Sequence, residues 1–235
     1  MKTGIQQLFD EIRKCNFYPD TMLKICGEIK GTAFFPGGVG TIDNSEDLFS
    51  RKIMILGQDF DCETNFNESV KRGFEDIKGN PTWRNILKLL KECQIKIDEC
   101  FFTNAILGIR KGSEGTGKSP AFQDLNFIDY CRSFFIKQVE LQKPRLIIVL
   151  GKYPALFLAP INEKLSLWKK FTNFKYLDEN NLQVIKNVII SNNIITNFIV
   201  LVHPSLRHLN IAKRKYLDFT GHEAEIQMIK EGLNF

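Results

Sequence analysis

Long apolar runs are missing from this chain. The longest, Leu146 to Leu150 and Phe198 to Val202, fall far short of the roughly 20 residues that a membrane-crossing helix needs. Cysteine is sparse: six in 235 residues, none in C-x-x-C spacing, with Cys93 and Cys100 the nearest two in sequence. That excludes a disulfide scaffold and a zinc or dithiol redox motif. Met1 to Ile12 contains no apolar core of a secretory signal. Reduced thiols in a cytoplasmic protein are therefore expected. No linker, low-complexity tract or internal repeat interrupts the chain, and one domain over residues 1–235 is expected. Hydrophobic residues make up 43% and charged residues 25%, which excludes disorder, a fibrous repeat or a coiled coil as a description of the whole.

A strong excess of one charge is also lacking. The net charge is +5, too mild to imply a nucleic-acid partner by itself. Its distribution says more. His203 to Leu217 carries Arg207, Lys213, Arg214 and Lys215 without a carboxylate, and Lys164 to Lys175 carries Lys164, Lys169, Lys170 and Lys175 without one. A phosphate-facing surface needs such clusters, although a solvated helix face shows them too.

What the chain does have is an alternation of short apolar runs with helical patterns. Lys52 to Leu56, Cys100 to Ala105, Arg145 to Leu150 and Asn197 to Val202 are continuous rather than alternating, as strands covered on both faces are. Helices are expected from Pro81 through Cys93, over Ala121 to Leu141, and over Tyr153 to Ala159. Thr220 to Glu223 reads as a capping box ahead of a last helix, Ala224 to Leu233. Met1 to Ile29 reads as a pair of small helices packed on the rest, the second starting near Asp20. Leu182 to Ile190 is β-prone, and Ser191-Asn192-Asn193 can turn it into the fourth strand. The expected fold is a three-layer α/β/α arrangement around a central, mostly parallel, four-stranded sheet.

Ligands of open parallel sheets bind beyond the carboxyl ends of the strands. There the sequence places Gly57-Gln58-Asp59, Thr103-Asn104-Ala105, Gly151-Lys152-Tyr153 and His203-Pro204-Ser205. Singly, Asp59 suits a turn, Asn104 a satisfied amide and His203 a strand end. Jointly, three polar groups at one edge look like a site.

These residues carry a resemblance to the uracil-DNA glycosylase superfamily. Gly57-Gln58-Asp59 resembles the water-activating motif, Phe102 to Leu107 the strand bearing the uracil-reading Asn, and His203-Pro204-Ser205 the leaving-group motif. Lys143 to Gly151 resembles the third strand of the iron–sulfur branch. The resemblance covers roughly residues 30 to 215. It implies that Asp59 and His203 are catalytic, Asp59 orienting water and His203 holding the uracil anion. It implies that Gln58, Phe74 and Asn104 bind the base, Phe74 as the stacking aromatic. Ser205, Leu206, Arg207, Lys213 and Arg214 are expected to face DNA, with Leu206 or Arg207 filling the gap left by the flipped base. The partner is then DNA containing uracil or a related damaged base, and a monomer is expected.

Two departures from the family pattern matter. Cys131-Arg132-Ser133-Phe134 resembles the segment bearing the last cluster cysteine, but Gly108-Ile109-Arg110 lacks another, and Cys15 and Cys26 are too far apart for the N-terminal pair. No iron–sulfur cluster, metal or other cofactor is therefore expected. Phe60-Asp61 stands where the main family has Pro-Tyr, so rejection of thymine must come from another group or be imperfect. A rival motif is present as well. Gly112 to Ser119 matches G-x-x-x-x-G-K-[ST], the phosphate-binding loop of nucleotide-binding enzymes. Gly108 to Lys111 separates it from its strand, and Pro120 sits where its helix should run. A glycosylase-like fold that binds nucleic acid without catalysis is a third reading.

Overall fold

The computed structural model describes residues 4–25, 34–36 and 50–234. In chain order the helices and strands are α1 (Gly4–Lys14), β1 (Met22–Leu23), β2 (Ile53–Gly57), α2 (Glu63–Arg72), α3 (Pro81–Glu92), β3 (Cys100–Asn104), β4 (Ile109–Arg110), α4 (Leu125–Gln142), β5 (Leu146–Leu150), α5 (Lys152–Leu158), α6 (Phe174–Glu179), β6 (Val184–Ile190), β7 (Ile194–Leu201), α7 (Arg207–Asn210), β8 (Lys215–Tyr216), β9 (Phe219–Thr220) and α8 (Gly221–Leu233).

The continuous apolar runs become the interior of a five-stranded sheet of order β3-β2-β5-β7-β6. Neighbours among β3, β2, β5 and β7 run parallel, and β6 joins antiparallel. Every residue of β2, β3 and β5 is buried, because helices cover both faces. Met54, Leu56, Phe101, Ile147 and Val149 pack with α1, α4 and α5. Ile53, Ile55, Phe102, Leu146 and Ile148 pack on the other side with α3 and α8. The period-two alternation of strand side chains sorts one apolar run between the two layers.

The expected four-stranded sheet is thus corrected to five. The fifth strand is the β-prone segment before Ser191, folded back through a turn with Asn193 at φ 62°. As an edge strand it has mixed burial rather than a continuous apolar run. Its free edge is blunted: Lys164 Nζ donates to the Lys186 and Asn187 carbonyls at 3.2 and 2.9 Å, and Asn162 donates to that of Ile189 at 2.9 Å. Lys164 is therefore structural, not phosphate-facing.

Two local expectations also change. No second helix starts at Asp20. Asp20 and Thr21 form a turn, and buried Met22 pairs with Arg110 in a short antiparallel ladder; residues 1–3 and 26–29 lie outside the described residues. The capping box before α8 does not close. Thr220 is the N-cap without a side-chain bond, and its backbone is paired to Lys215.

A buried ionic chain ties the last third of the protein together. Arg214 is fully buried and lies 3.2 Å from Asp178 and 3.6 Å from Glu225. It donates to the Val200 carbonyl through both terminal nitrogens and stacks over Phe174, 4.6 Å from the ring centre. Glu225, also fully buried, accepts from the Val202 N–H at 2.6 Å and pairs with Arg207. Arg207 in turn donates to His222 Nδ1 at 2.6 Å, and His222 Nε2 bonds Glu92. Arg214→Gln would take the cation from the Asp178 side chain and leave Glu225 with Arg207 alone. It should lower unfolding free energy by about 3–5 kcal/mol, read as a shifted urea midpoint at constant slope.

Candidate active site

Strand register sets the carboxyl ends level. Gly57 faces Asn104 and Leu150 faces Leu201, so the residues beyond them emerge along one line. A cleft of about 830 Å³ opens there, bordered by Gln58, Asp59, Asp61, Asn104, Arg110, Lys152, Tyr153, His203, Ser205 and Leu206. The structure thus brings Gln58, Asp59, Asn104 and His203 together.

Asn104 is 5% exposed, and its amide crosses the backbone of Gly57. A Cβ at position 57 would stand 2.2 Å from Asn104 Oδ1 and 3.2 Å from the Phe34 ring, so only glycine leaves the amide its place. Among the described residues the amide has no hydrogen-bond partner. An amide that borders the cleft without a protein partner is free to bond a ligand there. Gln58 donates from Nε2 to the Gly117 carbonyl at 2.9 Å, while its buried Oε1 has no partner among the described residues.

His203 is held by its own turn. Nδ1 lies 2.8 Å from Ser205 Oγ and accepts from the Ser205 N–H at 3.4 Å. A backbone N–H can only donate, so Nδ1 is the acceptor and the proton of the neutral ring sits on Nε2. The next residue, Pro204, is fixed from α3 by Asn85, which donates to its carbonyl at 2.8 Å. Burial and the positive charge of Arg110 push the imidazole down to about 4, against the opposing charge of Asp61. His203 is therefore a neutral donor at neutral pH.

Asp59 forms a closed pair with Arg110, each side chain 5% exposed. Arg110 Nε donates to Oδ2 at 2.7 Å and Nη2 to Oδ1 at 3.3 Å. Burial raises the carboxyl, while Arg110, the Ser119 hydroxyl and the Asp61 N–H pull it back. Sequence reasoning missed Arg110, whose segment stands out there only for lacking a cysteine.

The glycine-rich segment 112–119 is the reverse of a phosphate cradle. The Thr116 and Gly117 carbonyls accept from Arg110. The Gly112 N–H donates to Glu63 at 3.1 Å and that of Thr116 to Glu114 at 3.3 Å. A tight 3₁₀ turn, Pro120–Gln123, follows in place of a long helix, and Lys118 lies over Phe122. Two carbonyls turned to Arg110 and two amides bonded to carboxylates give the nucleotide-binding reading no support from this segment. The segment instead forms one wall of the cleft, from Ser113 to Gly117.

Several expected contacts fall elsewhere. Phe74 is 55% exposed and does not border the cleft, so neither base stacking nor a core role fits it. It follows Gly73, the left-handed cap of α2, which turns it outward. Phe34, Trp83, Tyr153 and Phe174 are aromatics that do border the cleft. Phe60 is buried against Phe66 and Ile109. Arg214 cannot reach DNA, being fully buried in its ion pairs. Arg207 is turned inward to Glu225 and His222 with its side chain 13% exposed, whereas Leu206 is 48% exposed on the rim. Lys213 is exposed, and Ser205 turns its hydroxyl to His203.

The five cysteines among the described residues, Cys15, Cys62, Cys93, Cys100 and Cys131, form no shared ligand group. Cys131 is buried in α4, accepts the Leu107 N–H at 3.5 Å, and burial pushes its thiol up to about 12. Among the described residues no three His, Cys, Asp or Glu side chains converge as metal ligands; Cys26 lies outside them.

A profile of the Uracil DNA glycosylase superfamily matches residues 46–222. That span holds all four parallel strands and the cleft residues from Gln58 to Leu206. A search of curated proteins finds no match to the chain.

The state of His203 is open to measurement. Its imidazole resonances should report the Nε2–H tautomer and remain neutral as pH falls through 6.5, titrating only near 4. A midpoint at 6.5 would place the ring in open solvent. Because the unfolded chain takes up this proton first, acidification through 6.5 toward 4 should also withdraw stability.

Proposed function

Since the chain belongs to the uracil-DNA glycosylase superfamily, we propose that it hydrolyses the N-glycosidic bond of a flipped-out uracil, or a related damaged base, in DNA and so starts base excision repair. The observation that carries this reading is the meeting of an unspent Asn104 amide with a neutral His203 Nε2–H at one edge of the sheet.

A base stacked in a duplex is out of reach of such a cleft and must be flipped into it. One amide can accept from uracil N3–H and donate to O4, which is the reverse of what cytosine presents. Each mismatched buried group costs about 1–3 kcal/mol. When the bond to the sugar breaks, negative charge grows on uracil O2. A preorganised neutral imidazole donates to that charge with no cost of moving a proton first, and removing such a group typically costs about 100- to 1000-fold in rate. The ring is aimed by the Ser205 N–H, which ties Nδ1 down. On the sugar, positive charge develops and is met by carboxylate from the Asp59–Asp61 turn.

Leu206 supports the reading as the wedge. It is apolar, half exposed and three residues past His203, with Leu209, 61% exposed, on the same short stretch of chain. Arg207 is the anchor of that wedge rather than the wedge itself, through its pair with Glu225. The phosphate-facing cations of this rim are then Lys213 and Lys215, both exposed. Replacing both by Gln should flatten the log–log salt dependence of DNA binding. Arg214→Gln, by contrast, should leave that slope unchanged in the folded protein.

Single-turnover release of base from matched uracil and cytosine oligonucleotides tests the activity and its reader together. The parent should release uracil. Asn104→Ala should lose this without gaining another base. Asn104→Asp, neutral when buried, can donate to cytosine N3 and accept from its amino group. It should shift the relative rates toward cytosine. An unchanged uracil-to-cytosine ratio in that variant would remove Asn104 from base reading.

A further inference from the structure

Two carboxylates stand two residues apart on the turn after β2, and they are not equivalent. We propose that Asp61, rather than Asp59, is the carboxylate presented to the sugar of the bound nucleotide. The inference rests on the glycosylase reading.

Asp59 is already paired and only 5% exposed: Arg110 grips both its oxygens, at 2.7 and 3.3 Å. Turning it toward a substrate would leave the guanidinium of Arg110 buried without its counter-charge. The remaining reach of Arg110, to the carbonyls of Thr116 and Gly117, holds the cleft wall. The Asp59–Arg110 pair is therefore a strap that fixes the turn to the wall.

Asp61 is presented differently. It sits at φ 66°, a region that non-glycine residues seldom occupy and that persists only where surroundings enforce it. Oδ1 accepts from the Cys62 N–H at 2.7 Å and Oδ2 from Asn65 at 3.0 Å. Each oxygen keeps a second lone pair, and no cation is paired with the group among the described residues. Gly115 closes in from the wall: a Cβ there would stand 1.7 Å from Oδ1. The carboxylate borders the cleft, and its charge reaches the imidazole of His203. A fixed anion in the same cleft as the leaving-group donor is what a sugar cation needs.

In the step this implies, the C1′–N1 bond breaks and its electron pair leaves with the base, whose anion His203 Nε2–H holds. Asp61 stabilises the cationic sugar. Water forms the new bond to C1′, and its proton passes through the Asp61 carboxylate to the departing base, leaving neutral base and a hydroxylated sugar.

The test uses oligonucleotides with a pyrrolidine abasic-site analogue, cationic at the sugar, and with neutral tetrahydrofuran in its place. The parent should bind the cationic one about tenfold or more tighter. Asp61→Asn should abolish that preference and lower single-turnover uracil release by about 100- to 1000-fold. Asp59→Asn should keep the preference while lowering the melting temperature, since Arg110 loses its partner. Gly115→Ala, which displaces the Asp61 carboxylate without changing it, should also lose the preference, and it serves if Asp61→Asn does not fold. A preference that is absent from the parent, or that survives in both Asp61→Asn and Gly115→Ala, overturns the assignment. If the preference behaves as expected but the parent releases no base, the glycosylase reading fails and the placement of Asp61 stands. If the parent releases uracil but shows no preference, the placement of Asp61 fails and the glycosylase reading stands.

Discussion

The parallel register of β3, β2, β5 and β7 is the constraint on which everything else depends. With Gly57 opposite Asn104 and Leu150 opposite Leu201, the backbone ladder fixes the heights at which the chain leaves the sheet. A slip of one residue would send Asn104 to the opposite face and turn the apolar residues of its strand with it. The continuous burial of these strands on both sides makes such a slip expensive, so core packing is what holds the site in place. The side chains at the strand ends are then delivered to a common cleft without needing one another.

Buried charge does the finer positioning. Arg110 and Arg214 are both nearly removed from water, and each is bonded to carboxylates and to backbone carbonyls. A buried ion pair is weak as a source of net stability but strict about geometry, because a misplaced partner leaves a bare charge. Arg110 applies that strictness to the turn after β2 and to the cleft wall. Glu225, bonded to the Val202 N–H and to Arg207, applies it to the two sides of the His203 turn. The result is that His203 and the apolar rim at Leu206 are held from both ends, while Arg207 and Arg214 serve the fold rather than a phosphate.

The same reasoning accounts for the glycine-rich wall. Its glycines resemble a nucleotide cradle in sequence, yet their backbone does a different task here. Carbonyls turned toward Arg110 need tight curvature, and Gly117 adopts φ 73° to provide it. Gly115 is bare because the Asp61 carboxylate occupies the space a side chain would take. Spacing of glycines reports where a backbone bends; which polar groups the bend exposes depends on what stands opposite.

Much was legible in the sequence by itself. Continuous apolar runs separated by helical patterns determine a parallel, doubly covered sheet, and the residues following those runs determine that Asn104 and His203 share an edge. These follow from local periodicity and chain order. The antiparallel edge strand was half legible, since its mixed burial gives a weaker pattern than an interior strand. The rest was decided only by tertiary structure. Whether an arginine faces DNA or a buried acid, as at Arg207 and Arg214, depends on Glu225 and Asp178, which lie well outside the local stretch of chain and which no local pattern reveals. The contrast between Asp59 and Asp61 is of the same kind: two identical side chains on one turn, made unlike by a guanidinium that arrives from β4.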